Sequence, residues 1–310
     1  MEPTSEFDPG AVFAGVAGLT HPGQRRAENQ DNFLISDLAE DGAVVLRPQA
    51  SVDDAPVAAT LSLGQFGVLL LVADGMGGAA GGRLASGLAC SFILAELQER
   101  WSADAVRTER RFAFRLREAV EKANRRIHEH ARRNPDCAGM GTTATVAGVL
   151  SGAVYIAQVG DSRAYLVRGG RATQLTRDQS LVQQMIDAGA LTLEEAERSA
   201  HGNLILQALG VEPAVAVELT SQELRRGDAI LLCSDGLHRV VRAEEMADAI
   251  GRLGEPEMVC AELVALANDR GGPDNVTVVV ARLDGAGLAS PQPWDGVGRS
   301  PLELSPADDG

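Results

Sequence analysis

Cysteine is sparse in this chain and poorly placed for a framework. Cys90, Cys137, Cys233 and Cys260 are scattered, with no Cys-x-x-Cys pair and no histidine at metal-ligand spacing. That excludes a disulfide scaffold or a zinc site, and the four read as buried apolar residues of a cytosolic protein. Positive charge is also short: 28 Lys and Arg stand against 43 Asp and Glu, a net charge of −15. Phosphate backbones and anionic lipids repel such a surface, so nucleic acid and membrane surfaces are excluded as partners. Lysine is almost missing, Lys122 being the one ammonium side chain, a bias of composition without functional weight. No apolar run approaches the ~20 residues needed to cross a bilayer. Residues 1–10 are acidic and lack the basic-then-apolar pattern of a signal peptide. These absences point to the cytoplasm.

What is present is a core and a recurring turn chemistry. The chain has 310 residues, 45% of them hydrophobic, enough for a sizeable core. Its organising stretch is Val68 to Ala73, a continuous apolar run that reads as a strand buried on both faces. It ends on Asp74-Gly75-Met76-Gly77-Gly78. The glycines let the backbone turn sharply and bring a bare carbonyl close to whatever the carboxylate holds. Hard cations such as Mg2+ and Mn2+ take carboxylate and carbonyl oxygens of this kind.

Along the chain, residues 1–10 are expected to be a flexible N-terminus, and 11–284 to form one domain. Ala11 to Leu19 and Asn32 to Ser36 read as strands flanking a polar loop, and 37–65 as a long inserted loop or loose hairpin. Gly82 to Leu97 is helical with Leu84, Leu88 and Phe92 on one face. Glu109 to Ala131 is helical with Phe112, Leu116, Ala119, Ala123 and Ile127 on the other helix's apolar stripe. Hairpin-linked strands follow, at Gly141 to Leu150, Ala153 to Val159 and Arg163 to Arg168, punctuated by glycine pairs. Asp178 to Ala188 and Thr192 to Ser199 read as two short helices, the second opening on a Thr192-x-x-Glu195 capping box. Ala214 to Leu219, Ala229 to Cys233 and Val276 to Leu283 read as strands, with Glu244 to Ile250 and Glu257 to Asn268 as a second helix pair. Residues 285–310 are rich in Pro, Gly, Ser and Asp and are expected to be a disordered tail. Hairpins with helices arriving in pairs predict an α+β plan with antiparallel sheet.

Four carboxylates share one context: Asp74 before Gly75, Asp161 after Gly160, Asp235 before Gly236, and Asp274 after Gly272-Pro273. Asp31 is a fifth, just ahead of a short strand. Asp-Gly and Gly-Asp are ordinary turn pairs, and the chain has 34 glycines. One or two such cases would be only that. Four at strand ends are harder to dismiss, and if they converge, like charges need cations between them.

The order Arg26-x-x-Asn29-Gln30-Asp31, Asp74-Gly75-Met76-Gly77-Gly78, Gly141-Thr142-Thr143, Val159-Gly160-Asp161-Ser162-Arg163, Leu175-Thr176-x-Asp178-x-Ser180, Ser234-Asp235-Gly236-Leu237 and Asp274-Asn275 resembles the metal-dependent Ser/Thr protein phosphatases of type 2C in their bacterial form. The resemblance implies a central antiparallel β-sandwich flanked by paired helices, with 178–210 as a small helical flap beside the active site. It implies Mn2+ or Mg2+ as cofactor, two ions tightly bound and a third held more weakly. Carried over, Asp74 would bridge the two ions, the carbonyl of Gly75 would bind one, and Asp235 and Asp274 the other. Asp31 would hold metal-bound waters, Arg26 the substrate phosphate, and Asp161 with Asp235 the third ion. Arg26, Asp31 and Asp161 are thus the residues expected to act in catalysis.

The implied reaction is hydrolysis of phosphoserine and phosphothreonine in proteins by a metal-activated water, opposing a Ser/Thr kinase and acting on its substrates. A monomeric enzyme is expected. A catalytically silent phosphoprotein-binding regulator is the alternative, and its mark would be a lost carboxylate. Some positions depart from relatives. Gln30 stands where many have Glu, Met76 where eukaryotic members often have His, and Ala79-Ala80-Gly81-Gly82 lacks the His common after this motif in bacterial ones. His21, His128, His130, His201 and His238 fall outside the motifs and read as surface or structural residues.

Overall fold

Two six-stranded antiparallel sheets lie face to face, each with a helix pair on its outer side. This computed structural model describes residues 11–39, 45–47, 55–192, 195 and 204–304. One sheet runs β11 (Arg171–Gln174), β10 (Arg163–Arg168), β13 (Ala229–Cys233), β14 (Val276–Asp284), β1 (Phe13–His21), β4 (Val57–Ser62). The other runs β12 (Glu218–Glu223), β9 (Ala153–Val159), β8 (Ala144–Leu150), β5 (Val68–Ala73), β2 (Asn32–Asp37), β3 (Val45–Leu46). Beyond the end of β5, β6 (Gly75–Met76) pairs with β7 (Gly141–Thr142). Helices α1 (Gly78–Ala103) and α2 (Glu109–Arg133) cover the second sheet. After the short α3 (Leu181–Asp187) and α4 (Asp235–His238), α5 (Ala243–Leu253) and α6 (Pro256–Asp269) cover the first. The layers are helix, sheet, sheet, helix, the α+β sandwich expected.

Why the central strands show no alternation is visible in their burial. In β5, Leu69, Leu71 and Ala73 pack against α1 and α2, while Val68, Leu70 and Val72 face the other sheet. In β14, Val276, Val278 and Val280 face α5 and α6, while Val279, Ala281 and Leu283 enter the space between sheets. Side chains alternate between two apolar environments, so the period of two persists in space and vanishes from the hydropathy pattern. Each large side chain so buried contributes about 1.5–3 kcal/mol, which makes this sandwich a stiff support for its turns. No helix among the described residues is long and apolar enough to cross a membrane.

Several expectations are corrected. In α1 the predicted stripe is displaced: Leu84 is exposed, Leu88 and Phe92 are half-buried, and Ala85, Ala89, Ile93, Leu97 and Trp101 form the inner face. Small alanines let the helix approach the sheet closely, and hydropathy hardly distinguishes the sides of so Ala- and Gly-rich a segment. The stripe predicted for α2 is buried throughout. The insertion at 37–65 is in part sheet, since β3 pairs with β2 and β4 with β1, each at a sheet edge. Edge strands need burial on one side only, which leaves their pattern weak. Residues 40–44 and 48–54 of that insertion, and the N-terminus 1–10, lie outside the described residues.

The expectation of disorder over 285–304 also fails. Leu288 is buried, Asp295 receives Arg225 at 2.9 Å, and the backbone bonds Ser221 N to Ser300 O (3.0 Å) and Leu302 N to Leu219 O (2.9 Å) cover the free edge of β12. A sheet edge offers a row of unpaired donors and acceptors, and a polar, proline-rich segment can use it without an apolar pattern of its own. Residues 305–310 lie outside the described residues.

Candidate active site

Strand register alone brings the five carboxylates to one rim of the sandwich. Asn32 opposes Ala73, so Asp31 and Asp74 are neighbours at adjacent strand ends. Ala144 opposes Val159, Arg163 opposes Cys233, and Cys233 opposes Val278, which carries the same rim through Asp161, Asp235 and Asp274. In an antiparallel sheet one strand's end is the next one's start, so residues far apart in sequence gather with no loop of unusual length. The charge on Asp74 feels Asp31, Asp235, Asp161 and Asp274.

Each motif contributes a local anchor. Asp74 N donates to Thr143 Oγ1 (2.9 Å), and Asp74 O accepts from Thr143 N (2.8 Å) and Thr142 Oγ1 (2.9 Å), which accounts for the Gly-Thr-Thr motif. Asn29 Oδ1 accepts from Asp31 N (3.1 Å), and Asn29 Nδ2 donates to Thr20 Oγ1 (2.8 Å). Thr20 Oγ1 lies 2.6 Å from Thr277 Oγ1, which donates to Asp31 Oδ2 at 2.7 Å. Asn275 is the pin of the Arg26 loop. Its Oδ1 accepts from Gln30 N, and its Nδ2 donates to Pro22 O and Glu28 O, all at 2.9 Å. A Cβ at Gly75 would collide with the carbonyl oxygens of Gly82 and Gln30, and one at Gly236 with that of Asn275. Those two positions require glycine for close backbone approach. Arg26 is exposed at the rim and donates from Nη2 to Asp274 Oδ2 at 2.7 Å.

Burial without compensation marks the cluster. Oδ1 of Asp31, Asp161 and Asp235 are buried with no hydrogen-bond partner. Burial and the neighbouring Asp235 push the Asp31 carboxyl up to about 7. Asp161 is likewise pushed up to about 7, first by burial and then by Asp235. Burial and the surrounding carboxylates raise Asp74 well above its usual range, and burial raises Asp235. Unpaired carboxylate lone pairs at such a place fit a hard cation, because such an ion supplies the missing partner and the missing charge together. Among the described residues no three His, Cys, Asp or Glu side chains stand in a finished cation-binding arrangement.

A pH dependence follows. Carboxyls held up in the folded state bind their protons more tightly folded than unfolded. Their contribution to stability is fully present below the unfolded carboxylate range at about pH 4 and is lost as pH rises through about 7. The cation-stripped protein should therefore melt at progressively lower temperature between about pH 5 and pH 8, and Asp31→Asn should flatten that slope. An identical slope in the variant would show that Asp31 does not carry it.

The sequence reading set His238 among surface or structural residues and did not name Arg239. His238 is half-buried, its Nε2 3.1 Å from Asp161 O. Burial, with Arg163 and Arg239 nearby, drives its pKa well down and keeps the ring neutral. Arg239 reaches both Asp161 and Asp235. Both follow the Ser234-Asp235-Gly236-Leu237 motif, and the spacing of four from Asp235 to Arg239 on a helical turn was the available signal. His201 lies outside the described residues.

The chain is similar to known phosphatases in sequence and in fold. The family described as Protein phosphatase 2C matches residues 41–263. The serine/threonine protein phosphatase PstP of Mycobacterium tuberculosis is 39% identical over 216 residues, covering 69% of this chain and 40% of that protein, so the chain spans well under half of that relative's length. The serine/threonine phosphatase stp of Listeria welshimeri is 36% identical over 213 residues, covering 68% of this chain and 83% of that one. The crystal structure of M. tuberculosis PstP/Ppp superposes with a TM-score of 0.70 at 35% identity, over 88% of this chain and 99% of that chain. The PstP catalytic domain in complex with two manganese ions gives a TM-score of 0.68 at 34% identity, over the same shares.

Proposed function

Since this chain belongs to the protein phosphatase 2C family, we propose that it hydrolyses phosphoserine and phosphothreonine in proteins, using divalent cations held by its carboxylate rim. The observation that carries this reading is the convergence of Asp31, Asp74, Asp161, Asp235 and Asp274 on one rim, three of them with buried unpartnered oxygens, beside an exposed arginine. In this proposal Asp74, the carbonyl of Gly75, Asp235 and Asp274 would hold two Mn2+ or Mg2+ ions, with Asp74 shared between them. Cations at such a site supply charge neutralisation and Lewis acidity to a phosphate under attack by water. Asp31, with Oδ2 held by Thr277 and Oδ1 unpartnered, orients the attacking water. Arg26 exchanges Asp274 for the phosphate oxygens, which its planar fork can hold in bidentate fashion.

A covalent route through sulfur has no support. Cys233 ends β13 beside the rim, but it is buried and its thiol is pushed up to about 12, far from the reactive thiolate form. A silent regulator would have lost a ligand, and all five carboxylates stand at their positions. We extend the proposal to a monomeric cytoplasmic enzyme opposing a Ser/Thr kinase, with residues 11–284 as the catalytic unit. The flap assignment of 178–210 draws support from how its root is tied to the rim. Arg163 Nη2 donates to Asp178 Oδ2 (2.7 Å), and Gln179 exchanges bonds with the backbone of Gly160 (2.9 Å each).

Hydrolysis of a phosphothreonine peptide and an aryl phosphate with Mn2+, with Mg2+ and with EDTA tests the reading. Activity is expected with the cations and only background with EDTA. Arg26→Ala should raise KM by about tenfold or more, with little recovery in Arg26→Lys, since an ammonium lacks the fork. EDTA-resistant turnover would overturn the proposal.

A further inference from the structure

The guanidinium of Arg239 stands between two buried carboxylates. Its Nη2 lies 3.5 Å from Asp161 Oδ2 and its Nε 3.1 Å from Asp235 Oδ2. The Asp161 and Asp235 side chains are only 3% and 13% exposed, and Oδ1 of each has no partner. These two carboxylates are the pair that the family resemblance gives to a third, weakly held ion. We propose that in this chain Arg239 is the built-in cation of the Asp161–Asp235 pair and occupies the position a third divalent ion would otherwise take.

The local fold holds it there. Asp235 opens α4, and Arg239 caps its other end, its backbone N donating to Asp235 O at 3.1 Å. A spacing of four returns the side chain along the same helical face to Asp235. The neighbouring half-buried His238 ring bonds the Asp161 carbonyl at 3.1 Å, which fixes the turn between the two carboxylates and the arginine. Arg163, another cation close to Asp161, has its fork on Asp178. A guanidinium stays charged at all working pH values and is tethered at a fixed distance. A free ion that takes both Oδ2 atoms has to displace this tethered charge from them. One positive charge against two carboxylates leaves Asp235 able to serve a neighbouring cation through Oδ1. Arg239 is thus a positioning residue that sets how many exchangeable ions the site holds.

The inference rests on the cation-binding reading above, and the test separates the two. Mn2+ is counted by equilibrium dialysis and titration calorimetry on the full chain, for wild type, Arg239→Gln and Arg239→Gln/Asp161→Asn. Two ions are expected for wild type. Arg239→Gln should bind a third at least about tenfold more tightly than wild type does, and the double variant should return to two. Without cations, Arg239→Gln should melt below wild type, and Mn2+ should narrow that gap. Equal third-ion binding in wild type and Arg239→Gln would overturn the role of Arg239 while leaving the two-ion site intact. A wild type that binds no Mn2+ would overturn both.

Discussion

Replacing Asp74 by asparagine is expected to lower turnover by at least about a thousandfold, since cation stabilisation of the transition state is worth several kcal/mol and each 1.36 kcal/mol is tenfold in rate. The fold should survive. The anchors of Asp74 are its backbone N and O, bonded to Thr142 and Thr143, and they do not depend on the carboxylate. The carboxylate is instead a burden on the cation-free protein, because burial and four neighbouring carboxylates raise its pKa well above the usual range. A neutral amide removes that repulsion, so the cation-free variant should melt at or above the wild-type temperature. The stabilisation that Mn2+ gives wild type should shrink in the variant. Turnover within tenfold of wild type in a folded Asp74→Asn protein would remove Asp74 from the centre of the site.

Asn275→Ala should damage both stability and activity. This side chain is 6% exposed and makes three 2.9 Å hydrogen bonds to the backbone of the loop between β1 and β2. Alanine leaves one amide and two carbonyl groups without their partner, an expected loss of about 2–4 kcal/mol. The same loop carries Arg26 and leads into Asp31, so phosphate binding and water orientation should loosen together. A fall in melting temperature with a rise in KM and a drop in kcat is expected, and added Mn2+ should not restore kcat. A variant with wild-type melting and kinetics would show that the loop is held by other contacts, such as the Gln24 N to Gly272 O bond at 2.8 Å.

The carboxylate rim was legible from sequence because its signal is local. An apolar run of five or six residues followed by Asp and Gly marks a strand end whatever the strand pairs with. The stripe of α2 was legible for the same reason: Phe112, Leu116, Ala119, Ala123 and Ile127 repeat at helical spacing against charged residues. The face of α1 was not, because Gly81, Gly82, Ala85, Gly87 and Ala89 give hydropathy little contrast. The edge strand β4 and the segment 285–304 were missed because an edge is held by backbone bonds that any residue but proline can make. Their side chains carry no pattern of their own.

Sequence alone determined most of the strands, the helix pairs and the five carboxylates, since each is written in a window of fewer than about 25 residues, while the two-sheet sandwich came from the family resemblance. Only the tertiary structure decided which charges meet. Asp161 and Arg239 are separated by 78 positions, and nothing local to either distinguishes their contact from a solvated arginine and a turn aspartate. The bond of His238 to the Asp161 carbonyl and the bonds of Asn275 to the Arg26 loop belong with it. Each arises where strand register brings distant ends together, and a side chain's partner there depends on packing that no local period records.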